Sequence, residues 1–126
     1  FIDNEENYFL GICIGMQILL KKGTEDGEEE GLNYFDGTVK NFNKIKKIKV
    51  PNINWKGINI KKDCNILKNH NSLDQFYFLH SYFCEINNKN DIVATSNYNG
   101  IEFPCIIKKK IFMEFNSILK KVICKV

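Results

Sequence analysis

A thiol placed for chemistry stands at Cys13, inside the stretch GICIGMQ of residues 11–17. A short apolar run leads into it and a helical pattern leads away, so the cysteine marks a strand–turn–helix corner. A corner of this kind is a nucleophile elbow. Its turn is strained and crowded, which is why small residues, Gly11 and Gly15, flank the nucleophile. Helix N-termini favour a thiolate through their dipole and free N–H groups. The N–H of the next residue, Ile14, points to where an oxyanion would form. The chemistry this supports is attack on a carbonyl-type carbon. A free cysteine packed in an ordinary core is the plain alternative for the motif taken alone.

A thiol nucleophile needs a base, and only His70 and His80 follow it in the chain. Pairing Cys13 with His80 gives a thiol-protease reading. Pairing Cys64 with His70 gives a metal reading, but two candidate ligands are too few, so no metal is expected. No cofactor is expected either.

The elements that must position Cys13 follow from residue patterning. Tyr8 to Ile12 are apolar and short, as a buried parallel strand is. Ile14, Ile18 and Leu19 recur at helical spacing beyond the turn. The segment GTEDGEEEG, 23–31, reads as an acidic, glycine-punctuated solvated loop. GTVKNF, INWKGINI, DIVATSNY and EFPCIIKKKIF read as strands. QFYFLHSYFCEI, 75–86, is a strongly β-prone run interrupted at His80-Ser81. NNKND, 87–91, is a turn. The tail NSILKKVICKV reads as a short helix capped by Asn116 or Ser117. Several strands with one clear early helix indicate an α/β sheet with few helices for its type.

Composition narrows the class. The chain has 126 residues, one domain's worth without repeat or linker. Its 18 basic and 15 acidic residues leave a net charge of +3, too mild to imply a nucleic-acid partner. No apolar run approaches membrane-spanning length and no signal peptide opens the chain. The five cysteines are odd in number and form no CxxC, which fits a reducing cytoplasm. Every basic residue is lysine, and isoleucine and asparagine abound. That bias matches an AT-rich gene, so lysine clusters are not read as binding patches.

Five segments together carry a resemblance: LGICIGMQILL, EDGEEEGLNYFDGTV, KVPNINWKGI, FYFLHSYF and ATSNYNGIEFP. In order and spacing they resemble the class I glutamine amidotransferase domain over roughly residues 8–112. More narrowly, the chain is similar to the glutaminase subunits of imidazole glycerol phosphate synthase, which serve histidine biosynthesis. The resemblance implies a flavodoxin-like, three-layer α/β domain, incomplete here. It implies that Cys13 attacks the side-chain amide of glutamine, forming a glutamyl thioester and releasing ammonia. Ile14 N–H becomes an oxyanion donor. Gln17 and Glu25 hold the amino-acid end of the substrate, with Glu25 facing the ammonium. Backbone around Ser81 and Tyr82 receives the α-carboxylate. Trp55 and Tyr77 line the face toward a cyclase (synthase) subunit, giving a heterodimer through which ammonia passes. In this family the H-S-Y histidine, here His80, is not the base. Asn52 stands where the family usually has histidine, a departure that leans toward a paralogue.

The pattern is missing at both ends. The first strands and helices, with the loop that completes the oxyanion hole, are expected to precede Phe1. The family's closing Q-F-H-P-E-K, source of the catalytic histidine and the glutamate that orients it, has no counterpart after His80. Back-translating Lys110 to Ile123 and reading one frame over gives N-I-Y-G-V-Q-F-H-P-E-K-S-H, with third bases chosen within codon degeneracy. Lys108-Lys109-Lys110 marks an A-rich slip site. Residues after about Lys110, and 113–126 in particular, are therefore expected to be an out-of-frame tail that packs poorly on a domain spanning 1–126. Without its base, this chain is expected to be inactive. Two further readings stand beside the glutaminase. One is a paralogous amidotransferase supplying ammonia for amino-sugar synthesis in surface polysaccharide. The other is a non-catalytic remnant that binds a synthase.

Overall fold

The computed structural model describes residues 9–23, 27–109 and 122–125. Strand β1 (Phe9–Ile12) runs into Cys13, and helix α1 (Ile14–Gln17) begins at the next residue. Strands β2 (Leu20–Gly23), β3 (Glu29–Glu30) and β4 (Phe35–Asn41) follow, then helix α2 (Phe42–Ile45). Next come β5 (Asn52–Lys56), β6 (Asn59–Ile60), β7 (Phe76–His80) and β8 (Tyr82–Ile86). The chain closes with β9 (Ile92–Tyr98), β10 (Ile101–Lys109) and β11 (Val122–Lys125). Single 3₁₀ turns occupy Asn65–Leu67 and Lys89–Asp91.

Three sheets result. The largest has the order β1-β11-β10-β9-β6, the second β3-β2-β4-β8, and β5-β7 form a two-stranded ribbon. This is a mixed α/β arrangement of sheets and few helices, consistent with the flavodoxin-like class expected from sequence. Two buried clusters hold it together. Met16 and Leu19 pack with Phe35 and Val39 of β4 and Cys84 of β8, which seats the Cys13 corner on the second sheet. Phe42, Phe78, Phe83 and Phe103 form an aromatic centre, with Phe42 and Phe83 stacked at 4.6 Å between ring centroids. Fully burying side chains of this size contributes roughly 1.5–3 kcal/mol each.

Four sequence expectations change. The strand read as buried before Cys13 is the edge of its sheet, and Leu10 and Ile12 are each 59 % exposed. The helix after Cys13 is only four residues long, because Leu20–Gly23 leave it to pair in parallel with β4. Backbone pairing across a sheet overrides the helical spacing of Ile18 and Leu19. The acidic segment is not all loop, since Glu29 and Glu30 pair with Gly23 and Lys22. The helix expected in the tail also fails where the tail can be followed. Val122–Lys125 form a strand, parallel to β1 and antiparallel to β10, rather than the end of a helix. A Val-Ile-Cys-Lys run suits a strand, and in this position it pairs the backbones of two neighbours at once. Residues 113–121, with both proposed helix caps, lie outside the described residues.

Candidate active site

The corner at Cys13 is the strand–turn–helix turn that the glycine spacing predicts. Cys13 has φ 55° and ψ −114°, one of three non-glycine residues described at positive φ. A side chain at such a position is strained, on the order of 1–3 kcal/mol. The turn is held by its own backbone: the carbonyl of Cys13 accepts from Met16 N at 2.9 Å and from Gln17 N at 3.3 Å. Burial of Met16, at zero exposure, anchors the helix from below while the thiol stays exposed. The amide of Ile14 opens the helix, where N–H groups lack an intrahelical partner.

The two flanking glycines do different work. A Cβ on Gly11 would meet the carbonyl oxygen of Gly15 at 2.4 Å, so no side chain fits there. A Cβ on Gly15 would meet nothing within 4 Å among the described residues. The expectation of crowding on both sides therefore holds for Gly11 and fails for Gly15, which faces open space.

Ile14 and Gln17 of α1 line a cleft of about 250 Å³, with Glu29, Gly31 and Val39 on its other walls. The cleft has mostly apolar sides and two polar side chains, Gln17 and Glu29. Glu25 lies outside the described residues. Ser81 and Tyr82, expected at the α-carboxylate, do not line this cleft. The carbonyl of Ser81 instead accepts from Phe42 N at 3.1 Å, and half-buried Tyr82 packs against the cluster that holds Met16. Trp55 and Tyr77 are also elsewhere. They sit directly opposite each other on β5 and β7, with ring centroids 5.4 Å apart.

Neither histidine is placed as a free base. His70 Nδ1 lies 3.4 Å from Asp74 Oδ2, within ion-pair reach but without hydrogen-bond geometry, and Asp74 Oδ2 accepts from Asn71 N instead. His80 is 6 % exposed and both its nitrogens are engaged. Its Nδ1 lies 2.8 Å from the Tyr82 carbonyl, which can only accept, so Nδ1 carries the hydrogen. A neutral ring then offers Nε2 as an acceptor to Asn52 Nδ2 at 3.2 Å. Burial pushes the His80 pKa below the usual histidine value, opposed by the bond to Tyr82. His80 is thus a neutral structural group. The Asn52–His80 pair escaped the sequence reading, although the interruption of the β-run at His80-Ser81 marked the place.

The structure is thus an α/β domain with an exposed cysteine at a strand–helix corner, whose helix lines a cleft beside a second sheet. The chain matches the family described as Glutamine amidotransferase class-I over residues 3–113, and it belongs to that family. Its relatives include the imidazole glycerol phosphate synthase subunit HisH of Leptospira borgpetersenii, 38% identical over 112 residues, or 86% of this chain and 54% of that protein. The protein of the same name from Caldanaerobacter subterraneus subsp. tengcongensis is 45% identical over 101 residues, covering 80% of this chain and 48% of the relative. HisH 1 of Methanococcus maripaludis is 42% identical over 102 residues, covering 81% and 49%. The chain thus spans about half the length of the curated relatives it matches.

Proposed function

We propose that this chain derives from the glutaminase subunit of imidazole glycerol phosphate synthase, which hydrolyses glutamine to glutamate and passes the ammonia to a cyclase subunit. The observation that carries the reading is the elbow: a cysteine held at φ 55° above a helix whose Ile14 and Gln17 line a cleft. In the reading, the Cys13 thiolate attacks the amide carbon and the Ile14 N–H receives the oxyanion. Gln17 and Glu25 hold the amino-acid end, and backbone at Ser81 and Tyr82 takes the carboxylate. Trp55 and Tyr77 face the partner, and cytoplasmic placement follows from the pathway. The relatives' name, a synthase subunit, supports a heterodimer.

The base is the missing part, and a change of frame after the lysine run would account for it, although Val122–Lys125 pair with both β1 and β10. The family match ends at residue 113, close to the lysine run at 108–110. The chain as it stands is therefore an inactive glutaminase that retains its nucleophile. Replacing everything after Lys109 by the shifted reading N-I-Y-G-V-Q-F-H-P-E-K-S tests this, with ammonia release measured beside the synthase subunit. The parent should release essentially none and the replaced chain measurably more. The nucleotide sequence across codons 105–126 decides the shift itself: without an A-rich run at Lys108–Lys110, or without H-P-E in the alternate frame, the tail reading falls. Glutamine slowing the alkylation of Cys13 by iodoacetamide tests the substrate independently of the base.

A further inference from the structure

The β5–β7 ribbon has two unlike faces. Ile53 and Leu79 stand opposite each other, as do Trp55 and Tyr77, and these four side chains are 48–60 % exposed. On the other face, Asn52 and His80 stand opposite each other, both buried. Strand alternation puts the two sets back to back. The ribbon pairs with neither of the other sheets, so what ties it down on its buried side matters.

We propose that His80 is a latch for this ribbon: its neutral ring, bonded to Asn52 and to the Tyr82 carbonyl, holds the Trp55–Tyr77 face in place, and protonation of the ring releases it. This rests on the docking role given to that face above.

The bonding admits one neutral arrangement. Tyr82 O fixes the hydrogen on Nδ1, and the free Nε2 then takes the Asn52 amide N–H. Asn52 spends its donor there while its Oδ1 finds no partner among the described residues, so the bond to His80 is what orients the side chain. With the Asn52 amide in this orientation, a proton on Nε2 sets donor against donor. The ring is packed by Phe42 of α2, Phe103 of β10 and Phe78 of its own strand, at 5.1–5.7 Å between centroids. With Asn52 of β5 and the carbonyl of β8, these are all uncharged groups, so among the described residues no carboxylate compensates an imidazolium. The charged ring reaches water only by leaving, and β7 moves with it. Burial already holds the ring below its ordinary pKa, which places the release on the acid side.

Trp55 is the only tryptophan in the chain, so its fluorescence reports on this ribbon alone. Steady-state anisotropy of Trp55 and far-UV circular dichroism are recorded on the full chain from about pH 8 to about pH 5. The expected result is a loss of anisotropy with a midpoint below 6.5, the ordinary histidine value, while the dichroism holds. In His80→Phe the step disappears. In Asn52→Asp it is also suppressed, because a carboxylate accepts from the protonated ring and keeps the latch shut. The second variant carries the test if the first fails to fold. A flat trace in the parent, as an amide turnover at Asn52 would give, overturns the proposal. So does a step that survives in Asn52→Asp, or one that coincides with loss of dichroism. Failure of the synthase subunit to bind at neutral pH, with the anisotropy step intact, sinks the docking role and leaves the latch standing.

Discussion

A methyl group on Gly11 would lie 2.4 Å from the carbonyl oxygen of Gly15, closer than any real contact of that kind. The strand entering the elbow and the helix leaving it touch through bare backbone. Gly11→Ala must therefore push the helix off the strand, at a cost of about 3 kcal/mol. Gly15→Ala has open space and should stay within about 1 kcal/mol of the parent. Urea unfolding of the two variants gives the contrast directly. Equal effects would mean that the helix does not pack on β1 as described.

Cys13 itself is expected to cost stability. Its φ of 55° is one that glycine adopts without penalty. Cys13→Gly should raise the unfolding free energy by about 1 kcal/mol, and alkylation at position 13 disappears with the thiol. A destabilised glycine variant in the same urea series would show that the corner is not strained.

The pH dependence of stability has a definite sign at His80. Its folded pKa lies below the unfolded one because burial disfavours the charged ring. The unfolded chain therefore binds more protons, and stability rises with pH. The contribution is fully present above about 6.5 and is lost as pH falls through the folded value. His80→Phe should flatten this part of a stability–pH curve measured by denaturant unfolding. A parent curve that is flat between about pH 7 and pH 5 contradicts the assignment.

Trp55 and Tyr77 should matter to a partner more than to the fold. They are 60 % and 48 % exposed, and a cross-strand pair contributes roughly 0.2–1 kcal/mol. Trp55→Ala and Tyr77→Ala should unfold within about 1 kcal/mol of the parent yet weaken capture by the synthase subunit at least tenfold, as removing an aromatic anchor does. Calorimetric titration of each variant measures this. Unchanged affinity in both would move the docking face elsewhere.

Much of this was legible before any coordinates. The corner at GICIGMQ shows in the sequence because an elbow needs small residues at fixed spacing around its nucleophile. The break between β7 and β8 shows at His80-Ser81 because a β-prone run stops there. The short extent of α1 does not show, since Leu20–Gly23 leave the helix only when β4 is beside them. Gly15 reads as crowded, and only the surrounding backbone reveals that it is not. The Asn52–His80 pair is also invisible along the chain. The two residues are 28 positions apart, and their bond depends on the register of β5 with β7. Alternation in NINWK and FYFLH carried the missing signal for Ile53 and Leu79 as part of the exposed face.

A strained thiol is also a kind of clock. Held at positive φ, Cys13 carries a strain that only a use for its thiol would offset. Random substitution would favour glycine there, since φ 55° with ψ −114° lies outside the left-handed region that asparagine tolerates. Under the proposed loss of the base, that clock has run only briefly, since the strained cysteine is still in place.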